Sequence, residues 1–219
     1  MSKVASLKVS LTAVAAAVLM AFFALSAGAG TAWADGNGID VSTIKATSTQ
    51  KLVYFPSNSA ANEWMLYGEA GTATFKSVTS SNKGVVSSKA QGTYVTLKLK
   101  KAGKSTVKFK YNGKSYKIKF VVAKYTNPVS VFQVGTVNYA KKFKKVPYCF
   151  PNKALAGKKL KVKASSAWKF VRFEYYDSNT GDFKKSKTLK KVPAGGGLYV
   201  VMKHKATGAI QYLSIWGQS

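Results

Sequence analysis

One cysteine, Cys149, one histidine, His204, and one arginine, Arg172, are all that the 219 residues hold of those three types. A lone thiol excludes an intramolecular disulfide framework and a cysteine-rich zinc site. A lone imidazole excludes a histidine cluster. Acids are nearly as scarce, with 7 Asp and Glu against 35 Lys and Arg, and the formal charge is +28. No Asp-rich calcium loop and no phosphate-cradling glycine loop can be assembled from what remains, so no metal and no cofactor is expected. The balance also excludes a neutral cytosolic metabolic enzyme as the default. Disorder is excluded in turn, because 46% hydrophobic and 13% aromatic residues are enough to bury a core.

Long apolar runs are missing except at the start. Lys3 and Lys8 precede an uncharged run from Leu11 to Leu25, and Ala32-Trp33-Ala34 offers small residues for cleavage before Asp35. Residues 1–34 are therefore expected to be a signal peptide; the alternative is an uncleaved segment that anchors the chain in the membrane, since Val9 to Ala34 is long enough to span. After cleavage 185 residues would keep 33 basic and 7 acidic side chains, a charge of +26. The expected location is outside the cell, secreted or non-covalently retained at its surface.

What the mature chain does have is short alternating runs separated by Gly, Asn and Ser, the pattern of an all-β protein. Val95, Leu97 and Leu99 alternate with Lys98 and Lys100; Val107, Phe109 and Tyr111 alternate with Lys108 and Lys110. Asn112-Gly113 predicts a two-residue hairpin turn. That turn sets Tyr111 opposite Lys114, Phe109 opposite Tyr116, Lys108 opposite Lys117 and Val107 opposite Ile118. Pro128 ends the alternation, and a new set of strands follows: Leu160 to Ala164, Trp168 to Tyr176, Leu198 to Met202 and Ile210 to Trp216. Gly195-Gly196-Gly197 reads as a flexible turn before the Leu198 strand. The expected divisions are a flexible segment at 35–50, a first β-sandwich at 51–124 and a second basic β-sandwich at 125–219. Residues 35–124 carry +11 and residues 125–219 carry +15, so both are basic modules rather than one globule with a basic tail.

Residues 72–123 resemble a bacterial immunoglobulin-like domain of group 2. Ser80-Ser81-Asn82-Lys83-Gly84-Val85-Val86-Ser87 resembles that family's serine-rich turn and strand. Lys101-Ala102-Gly103-Lys104-Ser105-Thr106-Val107-Lys108-Phe109 resembles its Ala-Gly turn and alternating strand, and Tyr111-Asn112-Gly113-Lys114 its terminal hairpin. The family's Trp ahead of the serine turn is absent, and Gly92 to Lys100 is longer than usual. Residues 125–219 show a weaker likeness to the same type. The resemblance implies two Ig-like sandwiches in tandem with a binding or spacer role, which the fold alone does not specify.

Three sets of residues could carry chemistry. Cys149, Arg172 and His204 form the ingredients of a sortase-like transpeptidase, in which a thiolate attacks an acyl carbon. Sortases run His, Cys, Arg along the chain, whereas this sequence runs Cys, Arg, His, and Tyr148-Cys149-Phe150-Pro151 reads as an apolar strand end. Glu63 and Glu69 are the candidate carboxylate pair for glycoside hydrolysis. Glu174 is expected to pair with a nearby Lys or Arg, and Trp168, Phe170, Phe173, Tyr175 and Tyr176 are either core or a sugar-stacking set, with at least half of them buried.

The basic excess is the informative feature. Between Glu69 and Glu174 there is no acid, while 23 Lys and one Arg occur. Lysines protect edge strands, but an excess of this size goes beyond that use. Lysine suits diffuse attraction to polyanions; reading bases would favour arginine, so sequence-specific nucleic-acid binding is not expected. The expected binding residues are Lys98, Lys100, Lys108, Lys110, Lys117 and Lys119, on three strands expected to lie side by side, together with Lys141, Lys142, Lys144 and Lys145. The expected function is non-enzymatic binding or adhesion to an anionic cell-wall polymer or an acidic host glycan, with an anionic lipid surface as a further candidate partner. The alternatives are a small cell-wall enzyme using Cys149 and a subunit of a larger surface assembly.

Overall fold

The computed structural model describes residues 37–69, 74–177, 180–195 and 197–217. The expected signal peptide and its cleavage site lie outside the described residues. Among them the regular structure is β-strand with three short 3-10 turns, and no helix is long and apolar enough to cross a membrane.

The first half is a sandwich of two four-stranded sheets. One contains β1 (Asn37–Asp40), β3 (Glu63–Tyr67), β6 (Val95–Leu99) and β5 (Val86–Ala90), in that order across the sheet. The other contains β2 (Thr47–Tyr54), β8 (Lys114–Lys124), β7 (Gly103–Tyr111) and β4 (Phe75–Ser80). Apart from its first strand's division between the two sheets, this is the ABED and CFG partition of an immunoglobulin constant-type sandwich. Alternation builds the core: Val95, Leu97 and Leu99 meet Val107, Phe109, Ile118, Phe120 and Val122 across the layer, each almost fully buried. The hairpin is paired in the register expected from Asn112-Gly113, with both turn residues at positive φ, 46° and 81°. The segment 35–50, expected to be flexible, is structured from Asn37 onward. It supplies β1, parallel to β3, and the start of β2, parallel to β8. Backbone pairing at a sheet edge holds these residues together with burial of Ile39 and Val41 in the first core and donation from the Asn37 side-chain amide to the Ala61 and Glu63 carbonyls, both at 2.9 Å.

The second half is a sandwich of unequal sheets. Its larger sheet runs β11 (Tyr148–Cys149), β16 (Ile210–Trp216), β15 (Gly197–His204), β13 (Trp168–Asp177) and β14 (Asp182–Ser186). The smaller has β10 (Val137–Asn138), β9 (Val129–Val134) and β12 (Leu160–Ala164), extended by a bridge from Lys159 to Lys191. Both halves are therefore Ig-like β-sandwiches.

The second core draws on the first half. Val53, Phe55, Ala123 and Tyr125 are buried in the same cluster as Phe143, Trp168 and Leu213. Asn62, itself buried, accepts from the Phe55 N–H and donates to the Phe55 carbonyl, both at 2.8 Å, which fixes the backbone of that residue. The Phe55 ring then stacks on Tyr125 with centroids 4.5 Å apart. The Tyr125 hydroxyl donates to the Phe143 carbonyl at 2.8 Å and lies 3.1 Å from that of Val146. Desolvation pushes that phenol above its ordinary value, so it stays protonated and able to donate. Phe55→Ala should cost about 3–5 kcal/mol, the usual range for deleting a buried aromatic ring. Because residue 55 precedes the first core's main strands, its readout is diagnostic: calorimetry should show the second half melting earlier. An unchanged second transition would mean that the ring is not part of that core.

Candidate anion-binding face

The outer face of the β2-β8-β7-β4 sheet gathers the lysines. Period-two alternation turns Lys108 and Lys110 of β7 and Lys117 and Lys119 of β8 away from the core, and all four are exposed. The register sets Lys108 directly against Lys117, and Lys110 against Lys76 of β4. Lys104 and Lys51 extend the same face toward the second half. Between the lysines lie short hydroxyl side chains: Thr47 beside Lys117, Thr49 beside Lys119 and Thr79 beside Lys108. No acid occurs on these four strands. A shallow open depression of about 440 Å³ lies on this face, lined by Lys108, Lys110 and Lys117, by the hydroxyl residues Thr47, Ser77, Thr79 and Ser115, and by Ala46, Phe109 and Tyr116. It borders the irregularity in β4, where pairing shifts between Lys76 and Thr79 and Ser77 takes a φ of 54°. Such a surface presents ammonium groups and hydroxyls together to an anion.

Lys98 and Lys100 do not join it. The strand that carries Lys98 belongs to the opposite sheet, paired to β3 and β5, so the expectation of three adjacent strands is corrected. Lys98 instead pairs with Glu63 at 3.1 Å, and both side chains are about half exposed. Lys141, Lys142, Lys144 and Lys145 form a separate exposed cluster on and beside the short 3-10 turn Ala140–Lys144 in the second half, around the buried Phe143.

The enzymatic constellations are not assembled. Cys149 pairs with Ile215, which faces Leu198, whereas His204 lies six residues further along β15, roughly 20 Å at the rise of an extended strand. His204 packs edge-on against Trp168 and lies 3.1 Å from the Thr207 hydroxyl; burial lowers its pKa. Arg172 contacts Glu174, as expected, through both Nε and Nη2 at 2.6 and 2.5 Å. Burial pushes the Cys149 thiol up, against an opposing pull from Lys142. Glu63 begins β3 and Glu69 follows its end, and the four steps of that strand put about 13 Å between Glu63 and Tyr67, so the two carboxylates are not set on one strand face at the spacing of an acid and base pair.

The aromatic set divides. Trp168 and Phe173 are buried, Phe170 and Tyr175 pack against the same core, and Tyr176 is exposed. Gly197, expected in a flexible turn, begins β15 instead. A Cβ there would lie 2.2 Å from the Trp216 ring, so only glycine lets that indole lie across the strand.

No family model matches the chain, nor does any curated protein. Among solved structures, it is similar to domains 4–9 of the surface layer protein SbsC at 14% identity and a TM-score of 0.26, covering 77% of this chain and 30% of that one. A tri-modular GH5 endo-beta-1,4-glucanase from Bacillus licheniformis gives 10% identity, a TM-score of 0.25 and coverage of 80% and 38%. Titin domains I67-I69 give 14%, 0.23 and coverage of 78% and 62%. The chain thus spans less than two thirds of each of these, and likeness at this level assigns neither ligand nor activity.

Two measurements check the site. Lys117→Glu should convert the contact with Lys108 from repulsion to attraction and stabilise the chain by about 0.5 kcal/mol; a lower urea midpoint would place the two ammonium groups out of mutual reach. Alkylation of Cys149 at pH 8 should be at least about ten-fold slower in the native chain than in denaturant, because the buried thiol resists ionisation. Equal rates would restore Cys149 as a candidate nucleophile.

Proposed function

We propose that this protein is an exported, non-enzymatic binding protein that holds to an anionic polymer of the cell wall or to an acidic glycan of a host. The observation that carries the reading is the outer face of the β2-β8-β7-β4 sheet, where lysines sit opposite lysines and no carboxylate intervenes. Like charges directly across a strand pair each cost about 0.2–1 kcal/mol, so stability does not select this arrangement, and a polyanion laid along the sheet relieves it. The first half serves as a bacterial group 2 Ig-like module turned to this use. Its hydroxyl-bearing neighbours Thr47, Thr49 and Thr79 add hydrogen-bond partners without adding charge. Lysine ammonium groups carry no fixed fork geometry, which suits a polymer whose anionic groups are irregularly spaced. The distance between Cys149 and His204 and the pairing of Arg172 with Glu174 favour this reading over thiol catalysis.

The test is retention on isolated cell walls across a salt series. Replacing Lys108, Lys110, Lys117 and Lys119 by Gln should preserve the circular dichroism spectrum and release the protein at lower ionic strength. The slope of log affinity against log salt should flatten by up to about 0.9 per lysine removed, the value for a duplex polyphosphate. Release at the same salt as the unaltered chain would move the binding surface to Lys141, Lys142, Lys144 and Lys145.

A further inference from the structure

The outer face of the large sheet in the second half is aromatic where that of the first half is lysine-rich. Tyr176 of β13 lies opposite Phe183 of β14, with ring centroids 5.6 Å apart in an edge-on pair. Tyr199 of β15 and Trp216 of β16 form a second edge-on pair at 5.4 Å. At the far edge Tyr148 of β11 lies opposite Ser214, with Phe150 following and its ring 5.7 Å from that of Tyr148. The face therefore crosses five strands, about 19 Å at ordinary strand spacing. Large apolar side chains remain open to solvent here: Phe150 is 69% exposed, Tyr148 44% and Tyr176 38%. Three exposed rings and two partly exposed ones, Tyr199 and Trp216, on one sheet face are more than scattered surface apolar residues and point to a binding surface.

At its centre sits a polar pair. Glu174 is 3% exposed and bonded to Arg172, and it lies in register with Tyr199, whose hydroxyl burial and the Glu174 charge push up to about 12. Positive charge surrounds the pair. Lys185 is in register with Glu174, and Lys169 and Lys203 face each other two steps away. The basic turn at Ala140–Lys144 borders the β11 edge, close enough for the Lys142 charge to act on Cys149.

We infer that this face binds an acidic saccharide chain, its sugar rings lying on Tyr148, Tyr176 and Trp216 and its carboxylates meeting the surrounding lysines. The inference rests on the reading above and makes it more specific, adding recognition of rings to attraction of charge. A sugar ring has one apolar C–H face and a rim of hydroxyls. The negative face of an aromatic ring attracts the first. A lipid tail would leave the central Arg172–Glu174 pair facing hydrocarbon, an unfavourable contact. Polyphosphate has no rings to stack.

Three probes separate the contributions: oligogalacturonate, polyphosphate of matched charge and a neutral cello-oligosaccharide. Trp64 and Trp168 are buried, so among the described residues Trp216 is the tryptophan whose fluorescence a surface ligand can change. Oligogalacturonate should bind more tightly than polyphosphate and alter that fluorescence. The full chain carrying Tyr148→Ala and Tyr176→Ala, both at exposed positions, should bind oligogalacturonate about ten-fold more weakly, equivalent to about 1.4 kcal/mol, with polyphosphate binding unchanged. Trp216→Phe should abolish the fluorescence change and keep most of the affinity. Equal binding of both polyanions with no effect of the aromatic variants would overturn this inference alone. Binding of the neutral sugar as tightly as the acidic one would overturn the acidic class of ligand. Binding of neither polyanion would overturn the lysine reading as well.

Discussion

The structure depends on the strict separation of side chains by strand alternation in a protein whose single cysteine allows no intramolecular disulfide. Each inward Val, Leu, Ile or Phe of β6, β7 and β8 has an outward neighbour, and on β7 and β8 most of those neighbours are lysines or hydroxyl residues. Burial of the inward set must outweigh both chain entropy and the mutual repulsion of the outward set. A shift of register by one residue would place lysines in the core, so the charge that burdens the folded surface also excludes slipped pairings. The Asn112-Gly113 turn fixes the starting point, and the pairing from Tyr111 with Lys114 to Gly103 with Val122 follows without interruption.

Local pattern was enough for the parts of the fold that local pattern controls. The hairpin register, the alternating strands of the second half and the pairing of Glu174 with a nearby cation could all be read along the chain. Sheet membership could not. β6 is adjacent to β7 in sequence and identical to it in rhythm, yet its partners are β3 and β5 in the opposite layer, which sends Lys98 to the other side of the sandwich. The same limit hid β1, whose four residues Asn37–Asp40 hold one large apolar side chain, Ile39, and gain order from parallel pairing with residues 64–67, burial of that side chain and the hydrogen bonds of Asn37.

The second half shows why aromatic content alone is ambiguous. Pairing between β13 and β15 shifts between Phe170 and Arg172, leaving Val171 as an extra residue. Beyond the shift the alternation changes phase. Phe170 and Phe173, three apart, therefore both serve the interior, while Arg172, Glu174 and Tyr176 turn outward. A strict period of two cannot place Phe170 and Phe173 on one face. The aromatic surface also needs Tyr148 from a strand far in sequence from the β15–β16 hairpin that carries Tyr199 and Trp216, and a glycine at 197 to let the indole lie down.

The use of arginine and lysine follows from the same physics. Only one guanidinium exists, and it is placed where a fixed geometry matters: Arg172 directs two N–H groups at one oxygen of a carboxylate that is almost fully buried. An unpaired Glu174 at that position would bear a large desolvation cost, which the planar fork offsets by charge-assisted hydrogen bonds. The lysines occupy exposed positions where their heads can move and stay hydrated. Two faces with different chemistry result, one on each half: mobile ammonium groups over the first sandwich, and rings held around a rigid ion pair over the second. Mobile charge gives reach without selectivity, and held rings give selectivity only at contact. With Phe55 and Tyr125 packing the first half into the second core, the two faces belong to packed halves, so under the proposed function a polymer held by the lysine face would meet the aromatic one at a raised effective concentration.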